Sequence, residues 1–486
     1  MPGHMTIGID VGTTAVKAGV LDPQGTLTEY FGEKYPTMRP KSDWVEQDGN
    51  HWVDAIDKAM SRFAPQLQDV AAIGICSQVN THIFIGADGR PLDAAIVWQD
   101  TRASAEAAEL DGQISEAQRI AWWGAPMPID ASHALARMLW VQRNRPDVWE
   151  KTRWVMLPKD YCILRLTGIA ATDPLSNVGL VDLRLRYIPE VLELVPGAAE
   201  RLAPIHPINA LVGEVTSGPA KGIAVANCSM DGWVGLLGCG GAADKATSYL
   251  SGTSEIVGIN SKRIRPTPGV IVFAECENIR LHAGPTQAGG AAQLWFAQMS
   301  RQTPEEMSNL ASQSDYSEPA PIFVPHLQGE RAPIWKSHTR GIFLGMSQNT
   351  DLADMSRSVY EGVAFSVRML LDVLEQSSDV RNDAIICGGG GFRSDVWNQI
   401  RANVLGRTLH RIAVTDPGVL GAAGIAAYAI GRHASLLDAF NDLISFDKTY
   451  QPRDELTARY DDQFEIYKRT IDACEPLNQA FIDLND

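Results

Sequence analysis

Two short segments, Gly12-Thr13-Thr14 and Gly252-Thr253-Ser254, each place a glycine and two hydroxyls in a tight turn between strand-like runs, roughly 240 residues apart. Glycine lets the backbone approach a phosphate closely, and the amides and hydroxyls of such a turn donate to its oxygens. One turn alone reads as an ordinary hairpin; the repeat in the same context points to phosphate. Asp10, just before the first turn, could hold a divalent cation directly or through water and offset repulsion from the phosphates. Asp231, in NCSMDGWVGLLGCG, reads both as a helix N-cap and as a carboxylate able to accept a hydroxyl proton. The run Gly388-Gly389-Gly390-Gly391 follows the strand-like AIIC and precedes a helix, which suits a backbone surface for a base or ribose. Trp98, in AIVWQDTR beside Asp100 and Arg102, has the make-up of a sugar site, with a core tryptophan as the plain alternative. Gln78, Val79, Asn80, Thr81 and His82 end the strand that begins at Ala71, where ligand contacts lie in α/β folds. His82 by itself reads as structural or exposed. Glu330 and Arg331 in PHLQGERAPIW read as a local salt bridge, with residues lining the cleft as the alternative.

Several chemistries are excluded. No Gly-Lys pair occurs, so there is no Walker A loop, and G-x-G-x-x-G spacing is absent from Gly388 onward, which disfavours a nicotinamide oxidoreductase. The net charge of −16 repels a phosphate-rich polymer, so nucleic acid is a poor ligand, although local groups can still hold a small anion. Seven scattered cysteines form no C-x-x-C pair, as expected in a reducing compartment. The opening Met1 to Asp10 has no basic n-region; its first four residues read as an appended remnant, and a cytoplasmic location is expected. The apolar stretch Gly418 to Gly431 is shorter than the roughly 20 residues of a membrane span and rich in small side chains, so it reads as a buried helix.

The elements that must position these residues follow from periodicity. At 486 residues, 45% apolar and 21% charged, the chain predicts two to four domains with a substantial core. TIGIDVG, TAVKAGVLD and TLTEYF form a meander; the helical HWVDAIDKAMSRFA and the buried parallel strand AAIGICSQV follow. After Ala243 a strand, turn and strand recur in TSYLSGTSEIVGIN. Two similar halves, each a mixed sheet with helices, are implied. Positions 352, 355, 359, 363, 367, 370 and 374 trace one helix face that should lie on the second sheet. AIIC, SDVWNQIRANVLG and TLHRIAV continue an α/β alternation. Pro204 to Gly222 reads as an irregular segment or an internal hairpin.

Taken together, the chain resembles the FGGY carbohydrate kinases. The resemblance rests on IGIDVGTT with Lys17, IVWQDTR, LPKDY at Leu157 to Tyr161, the Asp231 segment, SGTS, GERAPIW followed by RGIFLGM, and the CGGGG strand end. It implies an α/β fold of two ribonuclease-H-like (actin-like) domains flanking an ATP and sugar cleft. Residues 5–240 would carry the sugar site and base, and residues 241–486 the nucleotide site. It implies ATP and Mg2+ as cosubstrates. Asp231 would be the base and, with Asp10, face the metal. Gly12, Thr13, Thr14, Lys17, Gly252, Thr253 and Ser254 would lie near phosphates, and Gly389, Gly390 and Gly391 near the adenosine. Gln78, Val79, Asn80, Trp98, Arg102, Asp231 and Gly232 would line the sugar. Within the family, LPKDY and the strand end are similar to xylulokinases, and GERAPIW to gluconokinases. Val79-Asn80 stands where xylulokinases carry Met-His and glycerol kinases Arg-Glu; Cys228-Ser229-Met230-Asp231 replaces Gly-Gly-Gly-Asp; and Gly232 replaces the xylulokinase Asn. The expected activity is ATP-dependent phosphorylation of a ketopentose such as xylulose, with gluconate or another polyol or ketose as the alternative. An actin-like ATPase serving as a chaperone or regulatory module is the rival from another class, and it would need an appended β-rich client domain. The expected partners are the sugar and ATP, with no nucleic acid and no membrane, and a homodimer is left open.

Overall fold

Ile7, Ile9 and Val11 of strand β1 (Met5–Val11) are fully buried, and so is Ile75 of β4 (Val70–Ser77), with Ile73 nearly so. Strands apolar on both faces must be covered by helices on both faces. The computed structural model describes residues 4–484, the side chains of 482 and 483 aside; Met1, Pro2 and Gly3 of the expected remnant lie outside the described residues. The chain divides into two compact units. The first comprises Met1–Gly238, Phe273–Arg280 and Asp416–Ile444, and the second Cys239–Val272, Leu281–Thr415 and Ser445–Asp486.

In the first unit β1 pairs antiparallel with β2 (Ala15–Leu21), which pairs with β3 (Leu27–Lys34), giving the expected meander. On its other edge β1 runs parallel to β4, with Asp10 beside Cys76 and Val11 beside Ser77. The segment Pro204 to Gly222 contains β5 (Leu211–Glu214), which forms a hairpin with β6 (Ala224–Ala226), and β6 runs parallel to β4. Helix α1 (Gly49–Arg62) starts where the Asp48 side chain accepts from the Asn50 N–H, and it buries Trp52, Ile56 and Ala59. Helix α2 (Pro158–Thr167) opens on a proline and ends at Gly168 in the left-handed conformation. Helix α3 (Asp231–Gly238) follows β6 directly.

The second unit repeats the plan. Strand β7 (Thr247–Ser251) pairs antiparallel with β8 (Glu255–Asn260) and parallel with a later strand. The short β9 (Ile271–Val272) and β10 (Leu281–Pro285) extend the antiparallel side; β11 (Ala384–Gly388), β12 (Thr408–Ile412) and β13 (Phe446–Tyr450) extend the other, to give the order β9-β10-β8-β7-β11-β12-β13. Both sheets thus centre on a strand with an antiparallel hairpin on one side and two parallel strands, then an antiparallel edge, on the other. Helix α4 (Leu352–Ser378) packs on β8 and β10 as its periodicity requires, and buries Val359, Val363, Val367, Leu370 and Leu374. Its start is a capping box between Asp351 and Asp354. Helix α5 (Asp395–Leu405) joins β11 to β12.

The small-residue helix α6 (Pro417–Ala429) packs in the first unit, against β1, β4 and α3. Its composition is a requirement of contact. A Cβ added at Gly8 would lie 1.9 Å from the Val419 carbonyl oxygen, one at Gly74 2.1 Å from that of Ala422, and one at Gly421 2.2 Å from that of Val234. Backbone lies against backbone, which only glycine permits. No helix among the described residues is long and apolar enough to cross a membrane, and no disulfide joins the seven cysteines.

Candidate active site

The carboxyl ends of β1, β4 and β6 converge in the first unit, the place where parallel sheets present ligand contacts. Asp10 is the penultimate residue of β1, in register with Lys17 on one side and Cys76 on the other. Met230 bridges to Ser77, so Asp231, the first residue of α3, stands just past the same edge. Both carboxylates reach one neighbourhood: after burial, the charges of Asp10 and Asp231 are among the causes that push the Cys76 thiol up, and both act on the Tyr35 phenol in the same direction. Asp10 Oδ1 is buried and accepts no hydrogen bond. Burial raises this carboxyl to about 6; nearby Lys17 opposes the shift and Asp416 adds to it. Lys17 Nζ in turn sits 2.5 Å from Asp416 Oδ1. Asp231 Oδ1 accepts from the Gly232 N–H at 2.7 Å, a contact at the start of α3.

The turn at Gly12 closes through Gly12 N–H to the Ala15 carbonyl, 3.1 Å. The Tyr35 hydroxyl donates to the Gly12 carbonyl and Gln47 Nε2 to that of Thr13, so the turn is fixed from behind. Thr14 is exposed and Thr13 half-buried. Half-buried Trp98 donates its indole N–H to Thr13 Oγ1 at 2.9 Å, which joins the sugar candidate to the phosphate turn.

The other sugar candidates have different surroundings. Gln78 is buried, and both ends of its amide are bonded. Val79 is half-buried. Asn80 has φ of 53°, a left-handed conformation asparagine tolerates, and its Nδ2 donates to Ser132 Oγ at 3.0 Å. Arg102 is held within the fold: it donates to both Asp100 oxygens and to Glu46, and its guanidinium stacks 3.7 Å from the Trp44 ring centre. His82 is buried, not exposed, and kept neutral, since burial and the Arg137 guanidinium both lower it.

Sequence reasoning missed a buried ionic cluster behind Asp231. Lys159 Nζ lies 2.6 Å from Asp160 Oδ1 and 3.0 Å from Asp173 Oδ2, and Ser229, two residues before Asp231, donates to Asp173 Oδ1 at 2.7 Å. Lys159 and Asp160 stood in the quoted LPKDY segment without a role, and no local pattern marks Asp173.

In the second unit the turn Gly252–Ser254 is exposed at Gly252 and Thr253, while its flanks are locked. Ser251 Oγ donates to Glu255 Oε1 at 2.8 Å and accepts from Arg401 at 2.7 Å; Arg401 also donates to the Gly391 carbonyl and stacks 3.8 Å from the Trp397 ring centre. One buried guanidinium thereby ties the turn to the glycine run. The Glu330 and Arg331 pair divides its contacts. Glu330 Oε1 accepts the backbone N–H of Gln287 and, at 2.8 Å, that of Arg331, while the Arg331 guanidinium donates to the Thr286 carbonyl, also at 2.8 Å.

The glycines of the run are not equivalent. A Cβ at Gly391 would fall 1.9 Å from Ser251 Oγ; Gly389 has φ of 100° and faces the Ser251 carbonyl; a Cβ at Gly390 meets nothing within 4 Å. Packing therefore accounts for Gly389 and Gly391 but not for Gly390. Gly391→Ala should cost about 1–3 kcal/mol in urea unfolding by overpacking. Gly390→Ala should leave unfolding unchanged and raise the KM for ATP; an unchanged KM would show that this surface faces no nucleotide.

Comparison with known proteins identifies the family. The model of the FGGY family of carbohydrate kinases, N-terminal domain, matches residues 5–238, and that of the C-terminal domain residues 247–430. The xylulose kinase of Escherichia coli (strain K12) is 29% identical over 494 residues, covering 97% of this chain and 100% of its own. The ligand-bound xylulose kinase from Lactobacillus acidophilus superposes with a TM-score of 0.89 at 24% identity, covering 98% of this chain and 99% of its own, and a gluconate kinase from the same organism gives the same values. Those two structures share the fold. With both domain models matched in order over most of its length, the chain belongs to the FGGY family of carbohydrate kinases, enzymes that transfer a phosphoryl group from ATP to a sugar hydroxyl.

Proposed function

We propose that the acceptor is a neutral ketopentose such as xylulose, that Asp231 is the general base, and that Mg2+ accompanies ATP at Asp10. The observation that carries this reading is the pair of carboxylates at one edge of the first sheet, on either side of β4: Asp231 at a helix start, and Asp10 with a buried, unbonded Oδ1. An orphaned buried carboxylate oxygen suits a cation. Among the described residues no group of three or more His, Cys, Asp or Glu is arranged to hold a metal, so the remaining ligands would be water and phosphate oxygens, the usual habit of magnesium in phosphoryl transfer. Bound there, Mg2+ would neutralise charge on the transferred phosphoryl group. The hydroxyl of Thr13 and the turn amides would orient it.

A neutral acceptor is favoured by where the cations go. Arg102 is held by Asp100 and Glu46, and Arg137 donates to the carbonyls of Asn80, Ile96 and Val97. Neither is placed to receive the carboxylate of an aldonate. The xylulose kinases among the relatives point the same way. A panel of ketoses, polyols and aldonates tested for sugar-dependent ADP release should give D-xylulose or another pentulose the highest kcat/KM; gluconate as best acceptor would overturn the substrate reading.

Asn80 would read a hydroxyl of that sugar. Leucine at φ of 53° would add backbone strain, so Asn80→Gly is the cleaner test. Loss of one hydrogen bond at about 1–3 kcal/mol should raise the sugar KM roughly five-fold to more than a hundred-fold and leave that for ATP nearly unchanged. An unaltered sugar KM would remove Asn80 from the site.

A further inference from the structure

The bonds behind the phosphate turn form a closed circuit. Gln47 Nε2 donates to the Thr13 carbonyl at 2.7 Å, and Gln47 Oε1 accepts from Gln78 Nε2 at 2.8 Å. Gln78 Oε1 accepts from Thr81 Oγ1 at 3.2 Å. Thr81 Oγ1 accepts from the backbone N–H of Trp98, also at 3.2 Å, and the Trp98 indole returns to Thr13 Oγ1 at 2.9 Å. Gln47 and Thr81 are fully buried and Gln78 nearly so. The Gln47–Gln78 and Gln78–Thr81 bonds are buried away from water, and each bond of the ring fixes the orientation of the next group. Gln47 has a further anchor, Thr37 Oγ1 at 2.8 Å. Because Thr13 Oγ1 accepts the indole N–H, its own hydrogen remains for a phosphate oxygen.

We infer that this ring couples the two substrates: Gln47, Gln78 and Thr81 are positioning residues through which a sugar seated against Trp98 sets the Thr13 turn for the ATP phosphates. The inference rests on the proposed sugar site and adds to it buried residues with no part in phosphoryl transfer itself. A sugar that presses on Trp98 cannot tilt the indole without moving the Thr13 hydroxyl. A phosphate that pulls on Thr13 likewise steadies the indole, so the coupling is reciprocal, as linkage demands.

Isothermal titration of AMP-PNP and magnesium, with and without saturating D-xylulose, tests it on the full-length enzyme. In the unmodified protein D-xylulose should tighten AMP-PNP about five-fold or more, the range usual for coupled sites. Thr81→Val keeps the shape but removes the hydroxyl from the ring, and should bring that factor close to one; Thr81→Ser should restore it. Trp98→Phe, which keeps an aromatic face but loses the indole N–H at a half-buried position, should do the same as Thr81→Val and serves if the latter misfolds. A coupling factor retained in Thr81→Val or Trp98→Phe, or absent from an unmodified enzyme that phosphorylates D-xylulose, overturns the inference. Failure of the substrate reading is distinguishable: it appears as no D-xylulose-dependent ADP release by the unmodified enzyme, and that result also overturns the inference as stated.

Discussion

Asp231→Asn should abolish most phosphoryl transfer while leaving the fold and ATP binding in place. The amide keeps an oxygen where Oδ1 now accepts the Gly232 N–H, so the start of α3 retains its contact. What it loses is the capacity to take a proton. General-base assistance contributes about 10²–10⁴-fold, so kcat for sugar-dependent ADP release should fall by that factor. Binding of AMP-PNP by calorimetry and the melting temperature should remain near those of the parent. A variant that turns over within about tenfold of the parent would show that the acceptor hydroxyl needs no base, or finds another.

The candidate site was legible in the sequence wherever it is built from contiguous residues. Gly12 to Thr14 and Gly252 to Ser254 announce themselves because a turn is a local object, and the strand ends near Gln78 and Asp231 follow from short apolar runs that stop at polar residues. The repeat of two sheets was legible for the same reason, since each half begins with a hairpin whose strands alternate visibly. The rest depends on contacts between residues far apart in the chain. That Gly8 and Gly74 are there to let α6 lie on the first sheet, and Gly421 to let it lie on α3, cannot be read from any one segment, because each glycine looks like an ordinary break in a strand or helix until its partner carbonyl is known. Arg102 shows what local reading leaves out. Beside Trp98 it has the composition of a sugar contact, yet Asp100 and Glu46 hold it, and the second of these lies 56 positions away. The ring through Gln47 and Thr81 uses glutamine and threonine, residue types too common to stand out.

Lys159→Met should destabilise the protein more than any surface change. Lys159 is fully buried between the carboxylates of Asp160 and Asp173, both themselves buried. Burial alone would favour the neutral amine, but the two carboxylates outweigh it and hold the lysine above its usual range. Removing the ammonium leaves two negative charges in a dry environment with the compensating cation gone, a loss of about 3–5 kcal/mol for a broken buried pair. Desolvation already raises Asp160 despite the lysine, so in the variant protonation becomes its easiest relief. The damage should spread toward the base, because Asp173 also accepts from Ser229 and from the N–H groups of Leu175 and Ser176. Combining Lys159→Met with Asp160→Asn and Asp173→Asn should recover a large part of the stability, since an uncharged set has no ion to strand. Urea unfolding of the three proteins checks this. A loss below about 1 kcal/mol for Lys159→Met would mean that water reaches the cluster or that the carboxylates protonate at little cost, and the ionic strut behind Asp231 would then be ornamental to the fold.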